Sequence, residues 1–449
     1  MSNYYHLTFL FILPYRWEAV KKVLPVPPTE TLDKSSVESI LSNPEKLELI
    51  AKFNREYYHW DELRYRVDDS ELESTWALMK IMRKTNFKHL KVCGMDLGYA
   101  LLSDFQESLY TIDRNSAGLV EIDNPGEKEF RRYVTSSLME EAIASSQMEG
   151  ATTTRTEAKK MLRANRKPMT VSETMIVNNY LAMEFIKSKL KEPMSPELMM
   201  DMHRIITKDT LHEGKEWEGR FREDNETVVG DVFEEDVVFH VPPSHDRIPD
   251  MIQGLCRFIN DDDTEFIHPV IKGIIIHFMI GYIHPFVNGN GRLARTLFYW
   301  YLLKKDYWLI EYTSISRIIK KSQTKYGLAY QYTETDENDL TYFIKFNLAC
   351  IINAVKDLRT YIERKTREQK AALKEIESDS EINRWESLIL KDYLRDQTLF
   401  SIREISIKYN LAYQTARNYI NHLTELEYVR IGGKDGKTRL YKVVRDDNR

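Results

Sequence analysis

Residues 284–295 read HPFVNGNGRLAR and gather one histidine, a run of asparagine and glycine, and two arginines between an apolar segment and a helical one. His284 is the group in this stretch that exchanges a proton near neutral pH, which fits a general base. The run from Asn288 to Gly291 tolerates left-handed backbone and close approach, so consecutive amide N–H groups can point at one anion where the helix begins. Arg292 and Arg295 fall in the first turn of that helix, where the macrodipole disfavours a cation by about 0.3–1 kcal/mol at an exposed site. An anion between them offsets that cost. Cradle, arginines and base together specify phosphoryl or nucleotidyl transfer, in which positioning and charge neutralisation do most of the catalysis. A His-Pro pair or a Gly-Asn-Gly turn alone is ordinary helix-end chemistry, and it is the conjunction that carries the reading.

The stretch resembles the signature loop of Fic-domain proteins, HPFx[D/E]GNGRxxR, at His284, Pro285, Phe286, Gly289, Asn290, Gly291, Arg292 and Arg295. The likeness extends over roughly residues 120 to 365 and includes EEAIASSQMEG upstream of the loop. It implies a protein adenylyltransferase: His284 takes the proton of a Ser, Thr or Tyr hydroxyl on a target protein, and that hydroxyl attacks the α-phosphate of ATP. By the same resemblance Phe286 anchors the loop, and Asn290 with the amides of Gly289 and Gly291 holds the α- and β-phosphates. Arg292 takes the β-phosphate and Arg295 the γ-phosphate. Ser145, Glu149 and Gly150 fit the family's inhibitory motif [S/T]xxxE[G/N], which implies that Glu149 pairs with Arg295 and restrains the enzyme. A carboxylate is also the natural occupant of an arginine fork in the absence of nucleotide. A hairpin at 226–241, with Val228, Val229, Val237, Val238 and Phe239, resembles the flap that docks a target strand by β-augmentation.

Asn288 departs from the pattern. Family members usually carry Asp or Glu there to bind the Mg²⁺ (or Mn²⁺) that bridges the phosphates, and an amide oxygen is a weaker ligand for a hard cation. Two other functions therefore stay open: a nucleotide-binding transcriptional regulator with little or no transfer, and a hydrolase in which Glu149 orients water to remove AMP from a modified target. His268, His277 and His284 lack metal-pair spacing, and IGGKDGKTR near the end has the wrong glycine spacing for a phosphate loop.

The elements that must position these residues are mainly helical. Residues 128–149 carry Phe130, Val134, Leu138, Met139 and Ile143 at the spacing of one helix face, and Gly150 reads as its stop. Helices follow at about 156–164, 172–190 and 196–210, the last opened by Ser195 and Pro196. Valines about GD at 226–241 read as the hairpin. HPVIKGIIIHFMIGYI is apolar nearly all round, the mark of a helix buried in a bundle. From 384 the pattern of three helices and a hairpin is that of a winged helix-turn-helix, with Arg403, Lys408, Arg417, Arg430, Lys434, Lys437 and Arg439 among acids that include Glu404, Glu425 and Glu427. DNA and protein docking stay equally open for it. The expected division is a mostly helical accessory region at 1–120, a Fic helical bundle at 121–365 and a connector with winged helix at 366–449.

Composition bounds these readings. A chain of 449 residues with 42% hydrophobic, 11% aromatic and 30% charged residues is that of a globular protein of more than one domain. A net charge of −5 argues against nucleic-acid binding over the whole surface. Cys93, Cys256 and Cys350 are odd in number and without CxxC spacing, so buried thiols of a cytoplasmic protein are expected. LTFLFILPY and GIIIHFMIGYI are too short to cross a bilayer and no export signal is read, which sets the expectation of a cytoplasmic protein without a membrane span. Whether it forms a homo-oligomer is left open.

Overall fold

The computed structural model describes residues 21–22, 24–28, 38, 40, 42–116, 127–230, 237–260, 265–396, 399–435 and 438–444. Strand β1 (Lys21–Lys22) precedes helices α1 (Pro44–Glu56), α2 (Trp60–Leu63) and α3 (Asp69–Lys84). Asn43 caps α1 by accepting from the Glu45 and Lys46 amides, and Pro44 occupies the first turn, where its missing N–H is not needed. Ile50, Phe53, Leu63, Trp76 and Met79 form a local core among these helices.

This mostly helical region also holds a hairpin at residues 87–100 that was not read from the sequence. There β2 (Phe87–Val92) and β3 (Met95–Ala100) make an antiparallel hairpin in register from Phe87↔Ala100 to Val92↔Met95. Its two turn residues, Cys93 (φ 55°) and Gly94 (φ 77°), are both left-handed, as a two-residue hairpin turn requires. Lysines in β2 blur the alternation, and Cys-Gly is a poor sequence signal for such a turn, so the pattern was not legible. Helix α4 (Ser103–Ser116) follows.

Helix α5 (Glu127–Met148) ends where Gly150 turns left-handed at φ 91°, as its sequence requires. Next come α6 (Arg155–Arg163), α7 (Val171–Ser188) and α8 (Pro196–Thr207), whose caps Thr154, Thr170 and Ser195 each accept an amide three residues on. Strands β4 (Val229–Gly230) and β5 (Val237–His240) form the expected antiparallel hairpin, with a register shift at Val229/Gly230. Its tip, 231–236, lies outside the described residues. β5 is the middle strand, because β1 pairs with it in parallel, Lys21↔Val237 and Lys22↔Val238.

Helix α9 (Ile248–Asn260) leads to α10 (Pro269–Ile283) and α11 (Asn290–Lys304), the pair that flanks the polar loop. α10 is buried on every side, including Ile271, Ile274, Ile275, Phe278 and Ile280. Each such side chain contributes about 1.5–3 kcal/mol by leaving water, so the helix is fixed in place by its own apolar surface. α12 (Ile315–Lys320), α13 (Gln323–Thr335) and the long α14 (Thr341–Ser378) complete this part.

α15 (Arg384–Asp396), α16 (Ile402–Lys408) and α17 (Tyr413–Glu425) are followed by an antiparallel hairpin of β6 (Val429–Asp435) and β7 (Thr438–Val443). Three helices and a hairpin is the order read from the sequence. Their core is separate, built from Ile389, Leu390, Phe400, Ile405, Ile420, Leu423 and Tyr441. The chain divides into two compact units, 1–120 with 136–355 and 121–135 with 356–449. The accessory helices thus share a unit with the polar loop. Tyr57 donates to Asp339 at 2.6 Å, Lys80 pairs with Asp336 at 2.7 Å, and Arg83 donates to Tyr342 at 2.9 Å, all buried.

Candidate functional site

The loop between α10 and α11 is bracketed by two left-handed residues, His284 at φ 46° and Gly289 at φ 82°. At Gly289 only glycine fits, since a Cβ would also stand 2.7 Å from the Thr207 side chain. His284 holds its conformation at a cost of about 1–3 kcal/mol, which the surrounding contacts must over-determine. They do so through Arg222: its backbone N–H donates to the Pro285 carbonyl and its Nε to the His284 carbonyl, each at 2.9 Å. Within the loop, the Asn290 Nδ2 donates to the Phe286 carbonyl at 2.7 Å and its Oδ1 accepts from the Phe286 amide at 3.0 Å. The side chain of Asn290 therefore shapes the loop.

Phe286 is fully buried and stacks on the His203 ring, 3.6 Å between centroids and 6° between planes. His203 Nδ1 accepts from the Gly219 amide at 3.0 Å, which leaves Nε2 as the donor to the Asn288 carbonyl at 2.8 Å. Burial lowers the pKa of His203 to about 3, so it is a neutral strut. His284 is likewise buried and lowered to about 3, first by burial and then by the charge of His240. Its Nδ1 faces the Gly281 carbonyl at 3.4 Å, and donation there leaves the Nε2 lone pair to take a proton.

Arg295 is met from α5. Its Nη2 donates to Glu149 Oε1 at 2.9 Å and to the Ser145 carbonyl at 3.0 Å, and its Nε donates to Ser145 Oγ at 2.8 Å. Burial works against the Arg295 charge, and the adjacent Glu149 carboxylate outweighs it, holding the guanidinium above its ordinary range. Both side chains are 4% exposed. Glu149 also presses on the loop: a Cβ at Gly291 would lie 2.3 Å from Glu149 Oε1. Glu149 Oε2 and Arg292 Nε are buried without a hydrogen-bond partner among the described residues. Arg292 Nη1 donates to the Ile206 carbonyl at 3.0 Å, and burial pushes its pKa down to about 10, still charged at neutral pH.

Residues 141 and 145 lie four apart on one face of α5, and Glu149 follows in the turn just past the helix end. Glu141, fully buried, fixes that face by accepting from Tyr299 Oη at 2.9 Å, Ser314 Oγ at 3.1 Å and the Ser316 amide and hydroxyl. Desolvation holds its carboxyl above the usual range despite those donors.

Of the hairpin residues, Val229 and Phe239 line one cavity with His284, Glu149, Asn290 and Arg295. Val229 and Val238 are buried, Val228 is half-buried, and the Val237 side chain is outside the described ones. That cavity has a volume of about 60 Å³, below the ~300 Å³ at which ligand pockets begin. His240 joins it, its Nδ1 on Glu334 Oε2 and its Nε2 on the Tyr282 carbonyl, both at 2.7 Å. Burial opposes the His240 charge, but Glu334 raises its pKa overall.

Asn288 lies beside Glu213, donating from Nδ2 to Oε1 at 3.3 Å. Glu213 Oε2 is buried and has no hydrogen-bond partner among the described residues, so an acceptor-only oxygen stands beside the position where a cation ligand was expected. The chemistry of this donor set fits Mg²⁺. Among the described residues no group of three or more His, Cys, Asp or Glu is placed to hold a metal. His268 instead meets Asp113 at 3.0 Å and His277 meets Tyr326 at 2.8 Å. Cys256 and Cys350 are buried thiols, as expected, and Cys93 is half-buried. No described helix is long and apolar enough to cross a membrane.

Sequence reasoning missed Glu141, His203, Glu213, Arg222, His240 and Glu334. Their partners lie far along the chain, 62 residues for Arg222 and 85 for His203, and no periodicity reports such pairs.

Residues 193–302 match the model of the Fic/DOC family. Over 174 residues the chain is 28% identical to the protein adenylyltransferase Fic of Drosophila ananassae, and to that of Drosophila melanogaster to the same degree. The match takes in 38% of this chain and 31% of those relatives, so the chain spans about a third of the curated proteins it matches. In fold it is similar to a Fic family protein from Desulfovibrio desulfuricans G20, with a TM-score of 0.51 at 19% identity over 78% of this chain and 99% of that one. A Fic-1 fragment from C. elegans matches at TM-score 0.52 and 15% identity, over 76% and 90% of the two chains. The polar loop, the helix before it and nearly all of the helix after it fall inside the matched stretch, so residues 193–302 of this chain are similar to a Fic domain.

Proposed function

We propose that this protein is a self-restrained adenylyltransferase that moves AMP from ATP to a hydroxyl side chain of a target protein. One observation carries the reading: Glu149 occupies Arg295 while pressing on Gly291, so a carboxylate sits on the anion cradle that a nucleotide needs. In the reaction the target hydroxyl oxygen bonds to the α-phosphorus, the bond from that phosphorus to the bridging β-oxygen breaks, and pyrophosphate leaves. His284 Nε2 takes the hydroxyl proton. Its depressed pKa keeps it neutral and able to do so at any pH near neutrality. The amides of Gly289 and Gly291, with Arg292 and Arg295, are the donors for the phosphates, and Asn290 keeps the amides aimed by fixing Phe286. Asn288 and Glu213 would hold a Mg²⁺ together with the phosphates, and the ion would supply charge neutralisation.

The test is transfer of label from α-³²P-ATP onto the protein itself and onto lysate proteins, comparing wild type, Glu149→Gly and Glu149→Gly/His284→Ala. Labelling that appears on removing Glu149 and disappears with His284 is expected. No labelling in any variant, with ATP still bound, overturns the reading. Release of AMP from a labelled target by the wild type, lost in Glu149→Gly, would replace it with the hydrolase.

For the C-terminal unit we infer contact with duplex DNA. Gln414, Arg417, Asn418 and Asn421 are exposed and recur along one face of α17. These are the side-chain types that read guanine and adenine edges in the major groove. Arg430, Lys434 and Arg439 are exposed on the hairpin that follows, and Lys437 lies outside the described residues. Salt-dependent binding of random duplex by the full chain is expected, and Arg417→Ala weakens it. Binding that ignores salt, or none at low salt, refutes the inference.

A further inference from the structure

Position 288 carries a neutral amide in the loop that leads into Arg292 and Arg295, the loop that on the reading above holds the phosphates of a nucleotide. A hard divalent cation binds oxygen, and Mg²⁺ is commonly held by one or two carboxylates together with substrate phosphates. Asn288 alone offers one weak oxygen. The loop after α8 brings a carboxylate to the same place, with Glu213 Oε1 at 3.3 Å from Asn288 Nδ2. Its Oε2 is shut off from solvent and makes no hydrogen bond among the described residues. A carboxylate oxygen in that state is costly and needs either a donor or a cation.

The neighbours do not meet that need. Arg292 feels the Glu213 charge, yet its Nε is itself without a partner, so the two do not bond directly through these atoms. Lys215 pairs with Asp209, and Arg204 with Asp201. The Asn288 backbone is pinned by His203, so its side chain can turn its amide about without moving the loop, presenting oxygen in place of nitrogen.

We propose that Glu213 supplies the carboxylate that position 288 lacks, so that Glu213 and Asn288 together would hold a divalent cation that enters with a bound nucleotide. The proposal rests on the nucleotide-transfer reading above. With no cluster of three metal-binding side chains among the described residues, the cation binds with the nucleotide and not before it.

The experiment measures binding of α,β-methylene-ATP to the full chain carrying Glu149→Gly, by calorimetry with and without Mg²⁺. Bound Mn²⁺ is counted by electron paramagnetic resonance under the same conditions. Mg²⁺ is expected to tighten binding about tenfold, with one Mn²⁺ held per bound analogue. Adding Glu213→Gln removes both the gain and the Mn²⁺ signal, and adding Asn288→Asp to that variant restores them, which shows that the loop still folds. A gain and a Mn²⁺ signal undiminished in Glu213→Gln overturn the role of Glu213 while leaving the transfer reading intact. Analogue that fails to bind with or without metal overturns the transfer reading, and the role of Glu213 with it.

Discussion

At the scale of single residues, the site is a balance between one carboxylate and one guanidinium. Arg295 is buried, and Glu149 supplies the opposite charge it meets. Removing one partner of a buried pair costs about 3–5 kcal/mol, because the other charge is left without compensation. Glu149→Gly is therefore expected to lower the melting temperature without ligand, and ATP is expected to raise it more in the variant than in the wild type. Equal ATP shifts in the two proteins would mean that Glu149 does not compete with the nucleotide. His203 acts one step further back. His203→Ala removes both the stack on Phe286 and the bond to the Asn288 carbonyl, and in the Glu149→Gly background it should weaken ATP binding by about tenfold, as loss of one or two buried contacts does. Titration calorimetry reads this directly.

At the scale of elements, the proposed restraint depends on how α5 is held against the loop. Glu141 accepts from three hydroxyls and the Ser316 amide, so a glutamine in its place keeps one accepting oxygen and turns its NH₂ toward a hydroxyl that now donates inward and must rotate to accept. Glu141→Gln should loosen the helix and raise self-labelling above the wild type, to less than the level of Glu149→Gly and still dependent on His284. The hairpin of β4 and β5, expected to act as a flap, raises a second question of edges. A target strand adding to it needs a free row of N–H and C=O groups. β5 is paired with β1 at Val237 and Val238 and with β4 at Val238 and His240, so Val238 is paired on both sides. Val238→Pro removes a central-strand N–H and should cut labelling of protein targets about tenfold while ATP binding persists. Unchanged target labelling would exclude docking on this sheet.

At the scale of the whole molecule, buried histidines set the response to acid. His59, His203, His277 and His284 are each lowered to about 3 by burial, whereas the unfolded chain protonates them near 6.5. Below that pH the unfolded state binds more protons than the folded one, so stability falls as pH falls, by up to about 1.4 kcal/mol per pH unit for each histidine. His240 pulls the other way, since Glu334 holds its pKa above the ordinary value and its contribution is lost as pH rises through that value. Four against one predicts a urea midpoint that drops steadily from pH 7 to pH 5.5. A midpoint that is flat or rises over that range would contradict the burial of these rings. The same neutral state of His284 predicts that transfer by Glu149→Gly shows no inflection near pH 6.5.

The sequence by itself determined what is local. The loop is written in residues a few positions apart: Asn290 bonds to Phe286 four residues away, Gly289 takes the left-handed turn, and the apolar circumference of α10 dictates a buried helix whose end must carry His284. The stop of α5 at Gly150 and the order of helices and hairpin after residue 384 were legible for the same reason. The pairing of Glu149 with Arg295 was read from a likeness to other sequences, because a separation of 146 positions leaves no periodic trace. Only the tertiary structure decided that Arg222 and His203 hold the loop, that Glu213 stands beside Asn288, and that β1 covers an edge of the flap. A side chain's own position constrains its backbone and its neighbours within a turn or two; which distant group fills the space around it is settled by how the helices pack.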